Sequence, residues 1–435
     1  MIVLLSFSWL FIFLSFLMII KYITSLFVTY KYLKKGKIYL SRKNVNIIKP
    51  VNMLILIPVL REQNTIIDTI KHFEKVDNEN INLTLCIACT RRELLNKDRN
   101  INQKTTYEVV KEYIKQNQKI KILAFESNDV EFGDRASQLN YSLEKCCSLD
   151  SFSIVGVYDA DSRPTESTLI EVCERFLTDK KISMQQPAFF ISAANKMRAN
   201  KENPLLIANA LYQNTWSIIS EIPMWYKYSH TKGKGRGNYY FIGHGEFFPF
   251  EIIKNFSFPE REITDGIQIG YRLAMSGNQA EILYNYCSDD VPHNLRTLIQ
   301  QHKRWFGGCQ RLWSSYSWCK RNVGKAKIST LFSGIWSQFR WAFTANLFII
   351  NLIASICALL ILGNKYNLIC TIFLLFVYAY VLPVISTIMT PIKSKVGLFS
   401  ILCLPFAIFI KGIGPNLYFF ERLFFKKIIY KKVER

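Results

Sequence analysis

The chain has 435 residues, half of them hydrophobic, and a formal net charge of +22. That is too long for one ordinary domain, and the apolar residues are spread too unevenly for a uniformly soluble chain. Residues 1–20, 341–364, 366–392 and 396–410 carry no charge. The first three stretches are long enough, or nearly so, to cross a hydrocarbon core; the last is short and contains Pro405. An integral membrane protein with a large soluble insert is expected. The excess of Lys and Arg suits a negative inner leaflet and phosphate-bearing substrates. No recognition motif points to nucleic acid.

Residues 1–30 read as the first membrane helix. They lack the basic start and small-residue cleavage site of a signal peptide. Lys31, Lys34, Lys35, Lys37, Arg42 and Lys43 follow, in a basic linker over 31–50. The positive-inside rule places that linker, and the domain after it, in the cytoplasm. The eleven cysteines then read as reduced side chains. Cys86 and Cys89 form a C-x-x-C, but on a strand they face opposite ways and no second pair exists.

Residues 51–294 alternate between strand and helix patterns. Met53–Leu60 is a continuous apolar run, as in a buried parallel strand. A helix is expected over Thr65–Lys75, a strand over Leu83–Cys89, a helix around Thr106–Gln118 and a strand near Ile120–Phe125. Gly133–Asn140 leads into a helix ending about Cys147, and the next strand runs to Asp159. This order predicts a doubly wound α/β domain. Asn203–Glu221 reads as helical, and 232–237 as a basic, glycine-rich loop. His244 reads as structural or pocket-lining. Thr264 stands where it could cap a helix over Gly266–Met275.

Residues 295–340 are basic and aromatic, which suits helices lying at a membrane surface. Over 341–392 two spans are expected, about Trp341–Gly363 and Asn367–Thr390. Residues 393–435 hold a short in-plane or re-entrant apolar segment, Val396–Ile410, and a basic tail. A further crossing would carry that tail outside, against the positive-inside tendency.

Asp159-Ala160-Asp161 closes a buried strand, where open α/β sheets bind ligands. Along an extended chain, residues i and i+2 share a side. Both carboxylates could therefore face a hard divalent cation that itself holds a diphosphate. An acidic strand-to-turn cap explains an isolated Asp-x-Asp equally well, since Ser162 and Pro164 follow. The companion motifs decide between the two.

Together these residues resemble family-2 glycosyltransferases, specifically the membrane-integrated synthases of cellulose, chitin and hyaluronan type. The resemblance covers roughly Leu54 to Gly308. Leu56-Ile-Pro58-Val-Leu-Arg-Glu62 looks like the family's first strand and acidic turn. Gly133-Asp-Arg135-Ala-Ser-Gln-Leu-Asn140 is similar to the segment near the nucleotide diphosphate, with Arg135 in place of lysine. Asp159-Ala-Asp161 matches the Asp-x-Asp that holds the metal and the sugar nucleotide. Gln301-His-Lys-Arg304-Trp305 matches Gln-x-x-Arg-Trp.

The resemblance implies a GT-A-type, Rossmann-like cytoplasmic domain flanked by transmembrane and interfacial helices. It implies an inverting, metal-dependent enzyme at the cell membrane, taking Mg²⁺ or Mn²⁺ on Asp159 and Asp161. The partners implied are a nucleotide-sugar donor, a UDP-sugar first, and a glycan or lipid acceptor. Pro58, Glu62, Arg135, Asp159, Gln301, Arg304 and Trp305 would bind substrate. The physics agrees: Arg304 can clamp phosphate bidentately, Trp305 offers a face to a sugar, and Gln301 a neutral donor and acceptor.

Two departures stand out. The family's uracil-reading Asp after the second strand is replaced by Thr90-Arg91-Arg92-Glu93. The Thr-Glu-Asp motif appears as Thr264-Asp265-Gly266, so Asp265 is the carboxylate left to act as base. The expected activity is glycan extension at the cytoplasmic membrane face. The alternatives are single transfer to a polyprenyl phosphate or sphingolipid, and an inactive partner of an active synthase.

Overall fold

The computed structural model describes residues 2–41, 50–76, 78–95, 104–116, 119–128, 134–191, 203–231, 237–290, 292, 294–391 and 397–425. The expected glycine-rich loop 232–236, Gly133, Arg42, Lys43 and the basic tail from Lys426 lie outside these residues.

Helix α1 (Ile2–Leu40) precedes the first strand. Strand β1 (Val51–Pro58), helix α2 (Ile66–Phe73), strand β2 (Ile81–Thr90), helix α3 (Thr106–Gln116) and strand β3 (Lys121–Ser127) then alternate. Helix α4 (Arg135–Cys147), strand β4 (Ile154–Val157), helix α5 (Glu166–Thr178) and strands β5 (Ser183–Gln185) and β6 (Ala188–Ile191) continue the pattern. The expected alternation is therefore present. Seven strands form one sheet in the order β3-β2-β1-β4, then β7 (Glu246–Pro249), β5 and β8 (Ala280–Ile282). All its pairings are parallel except those of β7, which runs antiparallel to β4 and β5. Strand β6 pairs separately with β9 (Cys287–Asp290).

Period-2 alternation divides β1 between two cores. Met53, Ile55 and Ile57 pack beneath α2, α3 and α5. Leu54 and Leu56 belong to the second core, with α4 and residues of α1, α6 and α12. A sheet covered on both faces explains why β1 is apolar throughout.

Helices α6 (Pro204–Trp216) and α7 (Ile222–Ser229) are joined by a π-helical turn, Ser217–Glu221. Pro223, which has no N–H to donate, sits in the first turn of α7 and accounts for the widened ladder. Helix α8 (Phe250–Phe256) precedes α9 (Asp265–Ser276). Thr264 does not cap α9: its side chain makes no cap bond, and Oγ1 is buried without a partner.

The basic aromatic stretch is two helices, α10 (Leu295–Cys309) and α11 (Leu312–Asn322). Gly308 lies where α10 meets α9; a Cβ there would fall on Thr264. Helix α12 (Ile328–Leu362) follows, then α13 (Lys365–Phe376), a π-turn at Val377–Val381, and α14 (Leu382–Met389).

Two helical stretches, Leu5–Leu40 and Lys365–Met389, are long and apolar enough to cross a membrane. A third arises if the pair Ile328–Thr344 and Asn346–Leu362, bent by 43°, counts as one. A chain of buried polar groups joins α1, α12 and α13. Asn367 Nδ2 donates to Ser8 Oγ (2.7 Å) and Asn351 Nδ2 to Ser15 Oγ (3.4 Å). The Thr371 hydroxyl donates to Asn351 Oδ1 (3.1 Å), and Ser355 meets Thr371 at 2.7 Å. Hydrogen bonds of this kind hold helices together where burial between apolar surfaces contributes little.

Two expectations need correction. The linker expected over 31–50 is helical to Leu40 and docks on the soluble domain. Tyr32 donates to the Leu283 carbonyl, Tyr39 to Glu174, and Gly36 lies against the Tyr284 ring. Of the run Val396–Ile410, the described residues 397–410 are not a separate short element either. They split at Cys403 into α15 (Leu398–Leu402) and α16 (Leu404–Phe424), and α16 passes Ile410 to pack on α10, α6 and α12.

Candidate active site

Strands β1 and β4 pair so that Leu56 lies beside Val157, which brings their carboxyl ends together. The chain then leaves β4 through a turn rather than extended: Ser162 N–H donates to the Asp159 carbonyl at 3.1 Å. The i, i+2 geometry expected of Asp159 and Asp161 is thus replaced by a turn. Both still face a cavity of about 610 Å³ beyond the strand tips. Pro58, Glu62, Arg135, Asp159, Asp161, Asp265, Gln301, Arg304 and Trp305 all line it. These nine span more than half of the chain, and the fold gathers them at one place.

Arg135 is the first residue of α4, whose N-terminus is capped by Asp134 through the Ser137 N–H (2.7 Å). Its guanidinium pairs with Asp265, donates to the Gly243 carbonyl, and stands 3.6 Å from Asp159. Burial disfavours the guanidinium, but the carboxylates of Asp265, Asp159 and Glu246 outweigh it and raise its pKa. One permanent cation therefore bridges the strand-end acid and the helix-start acid.

Glu62 has a structural duty as well. Its carbonyl accepts from the Thr65 and Ile66 N–H groups, and its carboxylate from the Thr65 hydroxyl (2.8 Å), which fixes the entry to α2. Glu93 accepts from the N–H groups of Arg61 (2.6 Å) and Thr106 (2.9 Å). Of the Thr90–Glu93 segment, Arg92 alone lines the cavity.

Gly266 has a physical reason. A Cβ there would fall on Glu246 Oε1 and 2.8 Å from the Gly243 nitrogen. Glu246 is fully buried; Oε1 accepts from Gly243 N–H at 2.6 Å and Oε2 has no partner. Burial pushes its carboxyl up to about 8. A second carboxyl group thus fills the space that a side chain at 266 would need. Gly266→Asp is expected to destabilise the fold by about 1–3 kcal/mol through overpacking, with Glu246→Gly restoring room. Denaturation midpoints of the single and double variants check this; an unshifted Gly266→Asp would remove the steric explanation.

His244 lies between two partners. Nδ1 is 3.6 Å from Cys287 Sγ, and Nε2 is 2.8 Å from Asp289 Oδ2. Burial disfavours its imidazolium, but Asp289 and Cys287 hold the pKa well above the usual value. Among the described residues these three form a cluster compact enough to hold a metal ion. However, both ring nitrogens are already engaged, and thiol with imidazole suits softer ions than Mg²⁺. The carboxylates of Asp159 and Asp161, which both line the open cavity, are hard oxygen donors of the kind that suits Mg²⁺ or Mn²⁺.

On α10, Gln301 is buried with Oε1 unpartnered. A buried, unsatisfied acceptor in a cavity wall suits a ligand hydroxyl. Trp305 stands beside Phe190, ring centres 6.4 Å apart, and His302, at 5.6 Å.

Sequence reasoning missed further residues of this site: Glu221, Trp341 and Lys411 line the same cavity. For Lys411 a signal existed, a single cation closing the uncharged run 396–410. Glu246 and Glu221 gave none, because their meaning lies in tertiary contacts.

A family model described as glycosyl transferase family group 2 matches residues 154–384, more than half of the chain. No curated protein matches. Among solved structures, the chain is similar to a mannosyltransferase, PcManGT from Pyrobaculum calidifontis, in complex with GDP-Man and Mn²⁺. The TM-score is 0.50 at 13% identity, covering 91% of this chain and 97% of that one. Such identity supports a shared fold alone. Residues 1–349 of S. aureus TarS match at a TM-score of 0.39 and 9% identity, over 86% and 92% of the two chains. That likeness is too distant to argue from.

Proposed function

We propose that this chain, which belongs to glycosyl transferase family group 2, extends a glycan at a membrane face in the manner of polysaccharide synthases. The family makes it a glycosyltransferase acting on a nucleotide sugar. The finer reading is that of an inverting transfer from a UDP-sugar, with the soluble domain in the cytoplasm. The basic residues Lys31, Lys34, Lys35 and Lys37 after the first apolar stretch support that orientation.

Asp159 and Asp161 are the residues that would hold Mg²⁺ or Mn²⁺, which supplies positive charge for the departing diphosphate. Arg135 keeps Asp159 and Asp265 in fixed relation and presents a cation at the start of α4. Arg304 offers the diphosphate a planar pair of donors. Gln301 accepts from a sugar hydroxyl, and Trp305 gives the ring a flat face. Asp265 takes the proton from the acceptor hydroxyl as that oxygen attacks the anomeric carbon. The nucleoside diphosphate leaves with the electron pair of the broken bond.

What carries this reading is the shared cavity, with the strand-end acids at one wall and the Gln-x-x-Arg-Trp residues of α10 at another. The test is nucleotide release by purified protein across a panel of UDP-, GDP- and TDP-sugars, with and without Mn²⁺. Release from one donor, dependent on the metal, is expected. Silence across the whole panel would refute it.

A further inference from the structure

Helix α16 brings to the cavity a cation that the transfer chemistry leaves unused. Lys411 on α16 is 4% exposed. Its Nζ stands over the Trp216 ring at 4.1 Å, with Tyr212 at 5.5 Å and Trp341 at 5.7 Å. It donates to Gln213 Oε1 at 3.1 Å. Among the described residues it makes no ion pair. Glu221, whose charge acts on Lys411 without an ion pair, accepts from the hydroxyls of Ser217 (2.8 Å) and Tyr240 (3.1 Å).

Three aromatic faces offset part of an ammonium's charge, but an ammonium has three donors and one acceptor is present. A buried cation that makes no ion pair is disfavoured. Burial accordingly pulls the Lys411 pKa well down, with Glu221 opposing. An anion arriving beside it would restore the proton and fill the vacant donor directions.

The site lies next to an apolar surface. Trp216 lies on α6 and Trp341 on α12, and the Tyr212 hydroxyl meets Tyr378 inside the apolar stretch Lys365–Met389. Phe406, Phe419, Phe420, Leu423 and Phe424 stand exposed along α16. An apolar tail could lie on that surface while its polar head enters the cavity.

We infer that the acceptor reaches this site as a phosphate ester, its phosphate paired with Lys411 and its free hydroxyl turned toward Asp265. The inference rests on the glycosyl-transfer reading and names the acceptor class for it. A lipid-linked sugar and a soluble sugar phosphate share this chemistry.

The test titrates dodecyl phosphate, dodecanol and inorganic phosphate against the full chain in neutral detergent, with tryptophan fluorescence as the readout. Saturable binding of dodecyl phosphate, and none of dodecanol, is expected. Lys411→Met should weaken that binding on the order of 10–100-fold, while Lys411→Arg keeps most of it. Inorganic phosphate binding nearly as well assigns a soluble ester; much weaker binding assigns a lipid. Equal binding by wild type and Lys411→Met overturns the inference. So does a wild type that cannot tell dodecyl phosphate from dodecanol, a comparison that holds even where the variant fails to fold. Nucleotide release by the same preparation keeps the two readings apart. Release without phosphate binding removes the acceptor assignment alone, and no release with any donor strikes the transferase reading.

Discussion

Asp161→Asn is expected to abolish glycosyl transfer and the metal dependence of donor binding while leaving the fold intact. The substitution keeps the shape of the side chain and removes the charge that a hard cation needs. Charge stabilisation by a bound metal contributes several kcal/mol to a transfer step, which corresponds to a loss on the order of 10³-fold or more. Stability should hardly move, because Asp161 is half-buried at a cavity rim and such carboxylates contribute little. Donor titrations with and without Mn²⁺, beside a melting curve, measure both quantities. Full activity of the variant in excess chelator would show that no cation acts there.

Asp265→Asn should lower transfer by roughly 10²–10⁴, the usual range for a general base, with donor binding kept. Asp265 opens α9, is 7% exposed and has one oxygen held by Arg135. Its charge also favours the positive end of the helix dipole, an effect of about 0.3–1 kcal/mol. A purely structural Asp265, which also holds Arg135, would therefore cost about 1–5 kcal/mol of stability and little rate. The ratio of rate loss to stability loss separates the roles. If Asp265→Asn transfers at close to the normal rate, the acceptor proton goes elsewhere.

Strands β1 to β4 were legible in the sequence as apolar runs, and the nine cavity residues through short motifs and the family resemblance that those motifs carry. Apolar runs end in acids at strand tips, and Gln301, Arg304 and Trp305 share one helix. Glu246 and Gly266 were not legible, since neither explains itself: the glycine at 266 makes sense only once the Glu246 carboxyl is seen in its place. Helix α16 was hidden for a related reason. Gly412, Gly414 and Pro415 all argue against a continuous helix. Yet a Cβ at Gly414 would meet the Lys303 nitrogen at 2.8 Å, so close packing on α10 requires a glycine there. Lys303 also pairs with Glu421 at 2.6 Å, fixing the two helices together. Tertiary contact overrode local propensity.

The polar chain linking α1 to α12 and α13 sets an order of events in biosynthesis. Ser8 and its partner Asn367 are 359 residues apart. At 5–20 residues per second, α1 emerges from the ribosome roughly 20–70 s before its partner exists. For that interval Ser8 lacks its partner, and the contacts of α1 with α13 are unmade. Closure of the bundle is thus a late step that reports the synthesis of α13. A chain interrupted before that helix keeps its soluble domain and leaves its first helix unpaired, a difference that quality-control machinery can recognise.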